Sequence, residues 1–103
     1  MKTKTQPWTH AEDALIVSDY LTMLRITQRG LPINKAAHCR ALLPQLNNRS
    51  RGSVEFKHQN ISAVMRDLGH PMLKGYKPLA NYQQSLRAAV EATLGTGEGE
   101  VAA

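Results

Sequence analysis

The side chains best suited to contact nucleic acid are concentrated between residues 47 and 69. Arg49, Ser50 and Arg51 lie in a polar segment that also contains two asparagines. Guanidinium and hydroxyl groups donate hydrogen bonds to phosphate oxygens, and backbone N–H groups at the start of a following helix do the same. The segment therefore predicts contacts to a phosphate backbone. The alternative is an ordinary basic turn on the protein surface.

The helix predicted after this segment has one apolar side and one polar side. On a helical wheel with about 100° per residue, the apolar side is formed by Ile61, Val64, Met65 and Leu68. The opposite side holds the four residues that we predict to face DNA bases: Gln59, Ser62, Ala63 and Arg66. Amide, hydroxyl and guanidinium groups hydrogen-bond to base edges, and small side chains let the backbone approach the groove. A plain solvated face is the other interpretation, although such faces more often carry Glu and Lys pairs.

Further phosphate contacts are predicted at the margins of this helix and in the segment that follows it. Lys57 and His58 flank the apolar stripe, where the alternative is a packed stem with local hydrogen bonding. Lys74 and Lys77 lie in residues 72–78, a segment that predicts a tight turn and a small wing between two short extended pieces. A charged turn beside a core tyrosine explains the same residues equally well.

Catalysis and metal binding are the function classes that the sequence disfavours. The four histidines, at positions 10, 38, 58 and 70, form no HExxH motif and no other compact metal-ligand spacing. Cys39 is the single cysteine, and neighbouring side chains on a helix point about 100° apart, so Cys39 and His38 do not pair as nucleophile and base. We therefore predict no enzymatic activity, no metal and no cofactor. A small nuclease or other hydrolase has no support in these residues.

Four helices must position these side chains. Apolar spacing and capping residues predict helices over about 10–28, 35–42, 53–68 and 82–94. Thr9 with Glu12 forms a capping-box pattern, and Asn81 with Gln84 repeats that signature before the fourth helix. Asn34 is a good N-cap for the second helix. The sequence therefore predicts an all-α domain with a helix-turn-helix-like core.

Glycine, proline and polar residues mark where these helices end. Gly30 and Gly69 are placed to stop the first and third helices, and Pro44 stops the second. Residues 47–53 are rich in turn formers and predict a basic connecting loop. Phe56 points away from the apolar stripe of the third helix. We expect Phe56 to seal against the second or the fourth helix.

Length and charge bound the domain and its partners. The chain has 103 residues, 42% of them hydrophobic, which suits one helical domain at 8–94 between a flexible start at 1–7 and a disordered acidic tail at 95–103. The net charge of +5 would be +7 without the two glutamates of the tail. Such a charge attracts polyanions, and nucleic acid is the commonest. The single cysteine and the lack of a long apolar stretch predict a cytoplasmic protein without a membrane partner.

Four runs carry a resemblance to a known kind of protein: NRSRGSVEFKHQNISAV at 48–64, LGHP at 68–71, GYKP at 75–78 and NYQ at 81–83. The chain from about residue 8 to residue 94 resembles an amino-terminal module of bacterial proteins that carry HNH-type or other restriction-like nuclease domains. The resemblance implies a targeting or regulatory role in restriction or defence, as a solitary relative or as a piece of a larger nuclease. Trp8-Thr9 followed by Glu12-Asp13 also resembles the opening of a Myb-like or SANT helix.

These observations predict a non-catalytic module that binds double-stranded DNA with its third helix in the major groove. The competing interpretation is a helical adaptor that docks a nuclease or another defence component, or that self-associates through Leu42, Leu46 and the fourth helix. DNA binding predicts an affinity that falls steeply with salt. The adaptor predicts a defined oligomer or a protein partner instead.

Overall fold

The sequence folds into four α-helices in the computed structural model, which describes residues 7–95. The elements are α1 (His10–Gln28), α2 (Lys35–Leu42), a 3₁₀ turn (Leu43–Gln45), α3 (Arg51–Asp67) and α4 (Gln84–Gly95). The predicted all-α fold of four helices is confirmed. The predictions for the extreme start and for the tail beyond residue 95 lie outside the described residues.

The first two helices begin where their capping residues predict. The Thr9 hydroxyl accepts a hydrogen bond from the Glu12 N–H at 3.1 Å, and the Thr9 N–H donates to the Glu12 carboxylate at 3.0 Å. The Asn34 side chain accepts from the Ala37 N–H at 3.0 Å. Gly30 follows α1 with a φ of +79°, a conformation that L side chains rarely adopt. These signals are local in sequence, which is why they could be identified there.

Helix α3 begins two residues earlier than predicted. The Ser50 hydroxyl accepts from the Ser53 N–H at 3.1 Å, and the Ser50 N–H donates to the Ser53 hydroxyl at 3.2 Å. This reciprocal pair is a capping box in which serine replaces the usual Glu or Gln. Residues 51–53 are therefore helical, and the predicted loop over 47–53 is too long at its carboxyl end.

Helix α4 begins two residues later than predicted. The Leu86 and Arg87 N–H groups donate to the Gln83 carbonyl at 3.0 and 3.3 Å, so Gln83 precedes the first helical residue. The Tyr82 hydroxyl donates to the Asp67 carboxylate at 2.6 Å, which ties the approach to α4 to the end of α3. The predicted cap at Asn81 is wrong because the carbonyl that accepts the first hydrogen bonds of α4 is that of Gln83.

The segment between α3 and α4 forms a turn without the strands of a wing. Gly75 has a φ of +99° within the turn, and no strand flanks it in the described chain. The segment lies against the helices instead, because the Leu73 N–H donates to the hydroxyl of Tyr20 in α1 at 2.8 Å and, just beyond the turn, the Leu79 N–H donates to the Gln59 carbonyl at 3.0 Å. A strand pair over residues 72–78 would need the Leu73 N–H for its own hydrogen bonds. The predicted small wing is therefore wrong.

The core forms where α1 packs against α3 and α4, with α2 against α1. Tyr20 of α1 is fully buried at its centre. The Tyr20 hydroxyl accepts from the Leu73 N–H at 2.8 Å and lies 2.7 Å from the Ser62 hydroxyl. One side chain thereby links α1, α3 and the turn segment. Within residues 7–95, no helix combines the length and the apolar character needed to cross a membrane.

We expect Tyr20→Phe to lower the free energy of unfolding by about 1–3 kcal/mol, because the buried Leu73 N–H and Ser62 hydroxyl lose their partner. Urea denaturation followed by circular dichroism measures this change. Tyr82→Phe is the matched control, since it removes an exposed hydroxyl, and we expect a smaller loss from it. Equal losses in the two variants would contradict the role of the Tyr20 hydroxyl.

Candidate nucleic-acid interface

Two of the four residues predicted to face DNA bases lie inside the core. Ser62 and Ala63 are both 0% exposed, and the Ser62 hydroxyl lies 2.7 Å from that of Tyr20. Their predicted groove-facing role is wrong, because neither side chain reaches solvent and the Ser62 hydroxyl faces Tyr20 of α1. Small and weakly polar side chains fit a core as readily as a surface, so the helical wheel could not separate the two environments.

The other two predicted base-facing residues do not share an open face either. Gln59 is half-buried beside the turn segment, which bonds to its backbone carbonyl. Arg66 is exposed near the carboxyl end of α3, where its guanidinium lies 3.2 Å from the Asp67 carboxylate. Gln59 and Arg66 are separated by about two turns of helix. The predicted reading surface is therefore not assembled.

Arg49, a predicted phosphate contact, is instead part of a buried ion pair. Its guanidinium makes two hydrogen bonds to the Glu12 carboxylate, at 2.7 and 2.9 Å, and a third to the Pro7 carbonyl at 2.9 Å. Its side chain is only 4% exposed, and it lies over the Trp8 ring at 4.7 Å. Hydrogen bonding to Arg49 lowers the pKa of Glu12 to about 2. Arg49 stabilises the fold in this structure and is not presented to a phosphate.

Lys57, another predicted phosphate contact, is also buried. Its ammonium lies 3.9 Å from the Asp13 carboxylate and donates to the Gln83 side-chain oxygen at 3.4 Å. Burial lowers the pKa of Lys57 and raises the pKa of Asp13, because each charged form loses its hydration. The predicted contact of Lys57 with DNA is therefore wrong.

His58 is buried between a carboxylate and an aromatic ring. The His58 Nε2 lies 3.0 Å from one oxygen of Asp19, whose other oxygen lies 2.9 Å from the His38 Nδ1. The His58 ring stacks on Tyr76 with a centroid distance of 4.8 Å. Only 1% of His58 is exposed, so the prediction that it contacts a DNA phosphate is wrong. Ser50, the remaining predicted contact of the loop, uses its hydroxyl to cap α3.

Three predicted phosphate contacts remain available on the surface. Arg51, Lys74 and Lys77 are exposed, and none of them forms an ion pair within the described residues. Sequence reasoning missed a fourth cation, Lys35 of α2, whose ammonium donates to the Gly75 carbonyl at 2.9 Å. Only the fold brings α2 to the turn, so no local pattern could have identified Lys35. We call these four residues, Lys35, Arg51, Lys74 and Lys77, the basic rim.

Two residues of the basic rim, Lys35 and Arg51, line a cavity of about 230 Å³ between α2, α3 and the turn. Its lining includes Lys35, Cys39, Arg51, Glu55, His58 and Tyr76. Burial raises the pKa of Tyr76 to about 12, so its hydroxyl is neutral at physiological pH. Across residues 7–95, no group of three or more His, Cys, Asp or Glu side chains is placed to hold a metal ion.

One aromatic side chain in the amino-terminal half of α3 is exposed. Phe56 of α3 is 51% exposed, so the prediction that it seals against a neighbouring helix is wrong. It follows Glu55, which is also exposed. The amino-terminal half of α3 thus presents Arg51, Glu55 and Phe56 to solvent, whereas most of the following helix is buried. This half of α3 and the basic rim together form the candidate nucleic-acid interface.

Arg49 and Arg51 are expected to differ in their effect on stability. Arg49→Ala leaves the Glu12 carboxylate buried without its main partner and should lower the free energy of unfolding by about 3–5 kcal/mol. Arg51→Ala removes an exposed cation from the first turn of α3 and should change it by no more than about 0.5 kcal/mol. Urea titrations of both variants measure the difference. A similar loss in both would contradict the assignment of Arg49 to the fold.

Protonation of the Glu12 carboxylate in acid should also lower the free energy of unfolding. The pKa of Glu12 lies at about 2 in the folded chain against an ordinary 4.5, so its contribution is complete above pH 4.5 and is lost as the pH falls towards 2. That shift corresponds to about 3 kcal/mol. We expect the difference in unfolding free energy between wild type and Glu12→Gln to shrink across this window, as measured by urea titration at each pH. A difference that stays constant would contradict the lowered pKa.

No family model matches the chain, and no curated protein or solved structure matches it either. The resemblance to modules that accompany bacterial nucleases accordingly stays a prediction. The function of the candidate interface is therefore inferred from the placement of its residues.

Proposed function

We propose that the domain is a non-catalytic module that binds double-stranded DNA through the basic rim and the exposed amino-terminal half of α3. One observation carries this proposal, namely that four cations without carboxylate partners in the described part of the chain lie around one cavity and the turn next to it. Arg49, Lys57 and Arg66 lie beside carboxylates of their own chain. The cations of the basic rim form no ion pair within the described residues and border one cavity and one turn. Cations left without carboxylate partners are suited to phosphate oxygens.

The proposed DNA contact uses the amino-terminal end of α3, whereas the helical wheel indicates the face opposite the apolar stripe. In helix-turn-helix proteins, the amino-terminal residues of the recognition helix contact the base edges. In this chain that end of α3 carries Arg51, Glu55 and Phe56 on its exposed side. A carboxylate accepts from cytosine and an aromatic ring contacts the thymine methyl group, whereas Arg51 in the first turn would contact a phosphate, as would Lys35. Lys74 and Lys77 would then reach the phosphates beside the helix.

The burial of Leu42 and Leu46 weakens the competing interpretation, in which the domain is an adaptor that self-associates through them. Leu42 is 4% exposed and Leu46 is 8% exposed, and both belong to the core. The predicted self-association through these two residues is therefore wrong. The resemblance to modules of nuclease proteins extends our proposal to a cytoplasmic targeting or regulatory role beside a restriction-like nuclease.

Fluorescence anisotropy with labelled duplexes of about 20 base pairs, close to two helical turns, tests the proposal. We expect wild-type binding to weaken with salt, with a slope of about −3.6 in log–log form for four phosphate contacts. Arg51→Ala with Lys74→Ala should reduce that slope by about two. Binding that is absent at low salt would overturn the proposal, and sedimentation analysis with partner capture would then test the adaptor.

Arg66→Ala with Arg87→Ala is the matched control for this experiment. It removes the same charge from the far end of α3 and from α4, where Arg66 lies beside Asp67 and Arg87 lies 3.5 Å from Glu91. We expect this control to retain nearly the wild-type salt slope. An equal loss of affinity in the two double variants would show that only net charge matters and would contradict the assigned interface.

A further inference from the structure

The amino-terminal end of the described chain is fixed against the start of α3. The Pro7 carbonyl accepts a hydrogen bond from the Arg49 guanidinium at 2.9 Å. Two cations lie by the Trp8 ring, with the Arg49 Cζ at 4.7 Å and the Lys57 Nζ at 5.1 Å from its centroid. Arg49 is held in turn by the buried Glu12 carboxylate. The point at which the chain enters the fold therefore has a defined position beside α3.

This entry point and the basic rim lie on opposite sides of the exposed face of α3. With Arg51 at zero on a wheel of about 100° per residue, Glu55 lies at about 40° and Lys57 at about 240°. Phe56 lies between them, at about 140° on the same wheel, and is exposed. Arg51 and Glu55 line the cavity beside the rim. Lys57 faces the Trp8 ring instead, so the exposed face has the rim on one side and the entry of the chain on the other.

The six residues that precede Pro7 are basic, and we call residues 1–6 the basic arm. Their sequence is MKTKTQ, with two lysines and no acidic residue. Because a chain spans at most about 3.4 Å per residue, Lys4 can reach about 10 Å from Pro7 and Lys2 about 17 Å. The major groove of DNA is about 12 Å wide. An arm that starts beside α3 is therefore long enough to reach the phosphates that border a groove occupied by that helix.

We propose that the basic arm is a second phosphate-binding element, in which Lys2 and Lys4 contact the DNA strand opposite the one that the basic rim contacts. A helix in the major groove has a phosphate backbone on each side. On the side of Trp8, the cations Arg49 and Lys57 are buried beside carboxylates, so they hold the arm in place and do not contact DNA. The basic arm supplies cations to this side. The inference rests on the proposed binding of duplex DNA.

The salt dependence of duplex binding, measured by fluorescence anisotropy, tests the contribution of the basic arm. The slope of about −3.6 counts the basic rim alone, and two more contacts would steepen the wild-type slope to about −5.4. We expect Lys2→Ala with Lys4→Ala to return the slope to about −3.6, and Lys2→Arg with Lys4→Arg to keep the steeper slope. Equal slopes for the wild type and the alanine variant would overturn the arm proposal and leave DNA binding intact. Absence of wild-type binding at low salt would overturn both.

A charge-matched variant separates phosphate contacts from net charge. It combines Lys2→Ala and Lys4→Ala with Glu98→Gln and Glu100→Gln, which returns the net charge to +5. We expect this variant to keep the shallow slope of the double alanine variant, because the slope depends on the number of phosphates contacted. Recovery of the wild-type slope would show that only net charge matters and would overturn the proposal.

The position of the arm on the second strand is tested by combining the two sets of substitutions. Arg51→Ala with Lys74→Ala removes contacts on one side of the groove, and Lys2→Ala with Lys4→Ala removes those on the other. Because sites without shared partners act independently, we expect the fourfold variant to lose the sum of the two separate reductions in slope. A fourfold variant that loses no more than either pair would place the arm and the rim on the same phosphates and would overturn this arrangement.

The single tryptophan gives a second readout at the point where the arm joins the fold. Trp8 is half-buried, so the neutral quencher acrylamide can reach its ring. At saturating duplex we expect a several-fold lower quenching constant for the wild type and a smaller change for Lys2→Ala with Lys4→Ala. Arg51→Ala with Lys74→Ala, also at saturation, is the matched control and should keep the full protection. Wild-type quenching that the bound duplex leaves unchanged would overturn the proposed contact of the arm.

Discussion

The Glu12 carboxylate is the interaction on which the arrangement of the helices depends. It accepts from the Thr9 N–H at the start of α1, from the Asn47 N–H at 2.8 Å and from the Arg49 guanidinium. One buried charge therefore ties the start of α1 to the segment that leads into α3. A buried carboxylate is tolerated only when such donors surround it. This attachment fixes where α3 begins, and with it the position of Arg51 on the surface.

The burial of α3 decides which part of the molecule is available for contacts. Residues 60–65 of α3 are all buried, whereas the first half of the helix has a solvent-exposed side. Tyr20 and Leu79 reach this central helix from two other parts of the chain. A helix enclosed in this way is a rigid support for the few exposed residues at its start. Precise contacts are easier to maintain on such a support than on a loop.

The sequence was sufficient for the features that depend on near neighbours along the chain. The limits of α1 and α2 follow from Thr9, Asn34 and Gly30, whose partners lie within four residues. The candidate site could be predicted only in part, because burial depends on residues far apart in sequence. Arg49 and Arg51 have the same side chain two positions apart, and only a partner 37 residues away makes the first structural. Lys35 was missed for the same reason.

The Asp19 carboxylate that lies between two histidines has a consequence for how three helices are joined. A carboxylate only accepts hydrogen bonds, so the His38 Nδ1 and the His58 Nε2 both donate to it. One side chain of α1 thereby orients an imidazole of α2 and an imidazole of α3. The three helices are joined at this one point by polar contacts in addition to their apolar packing.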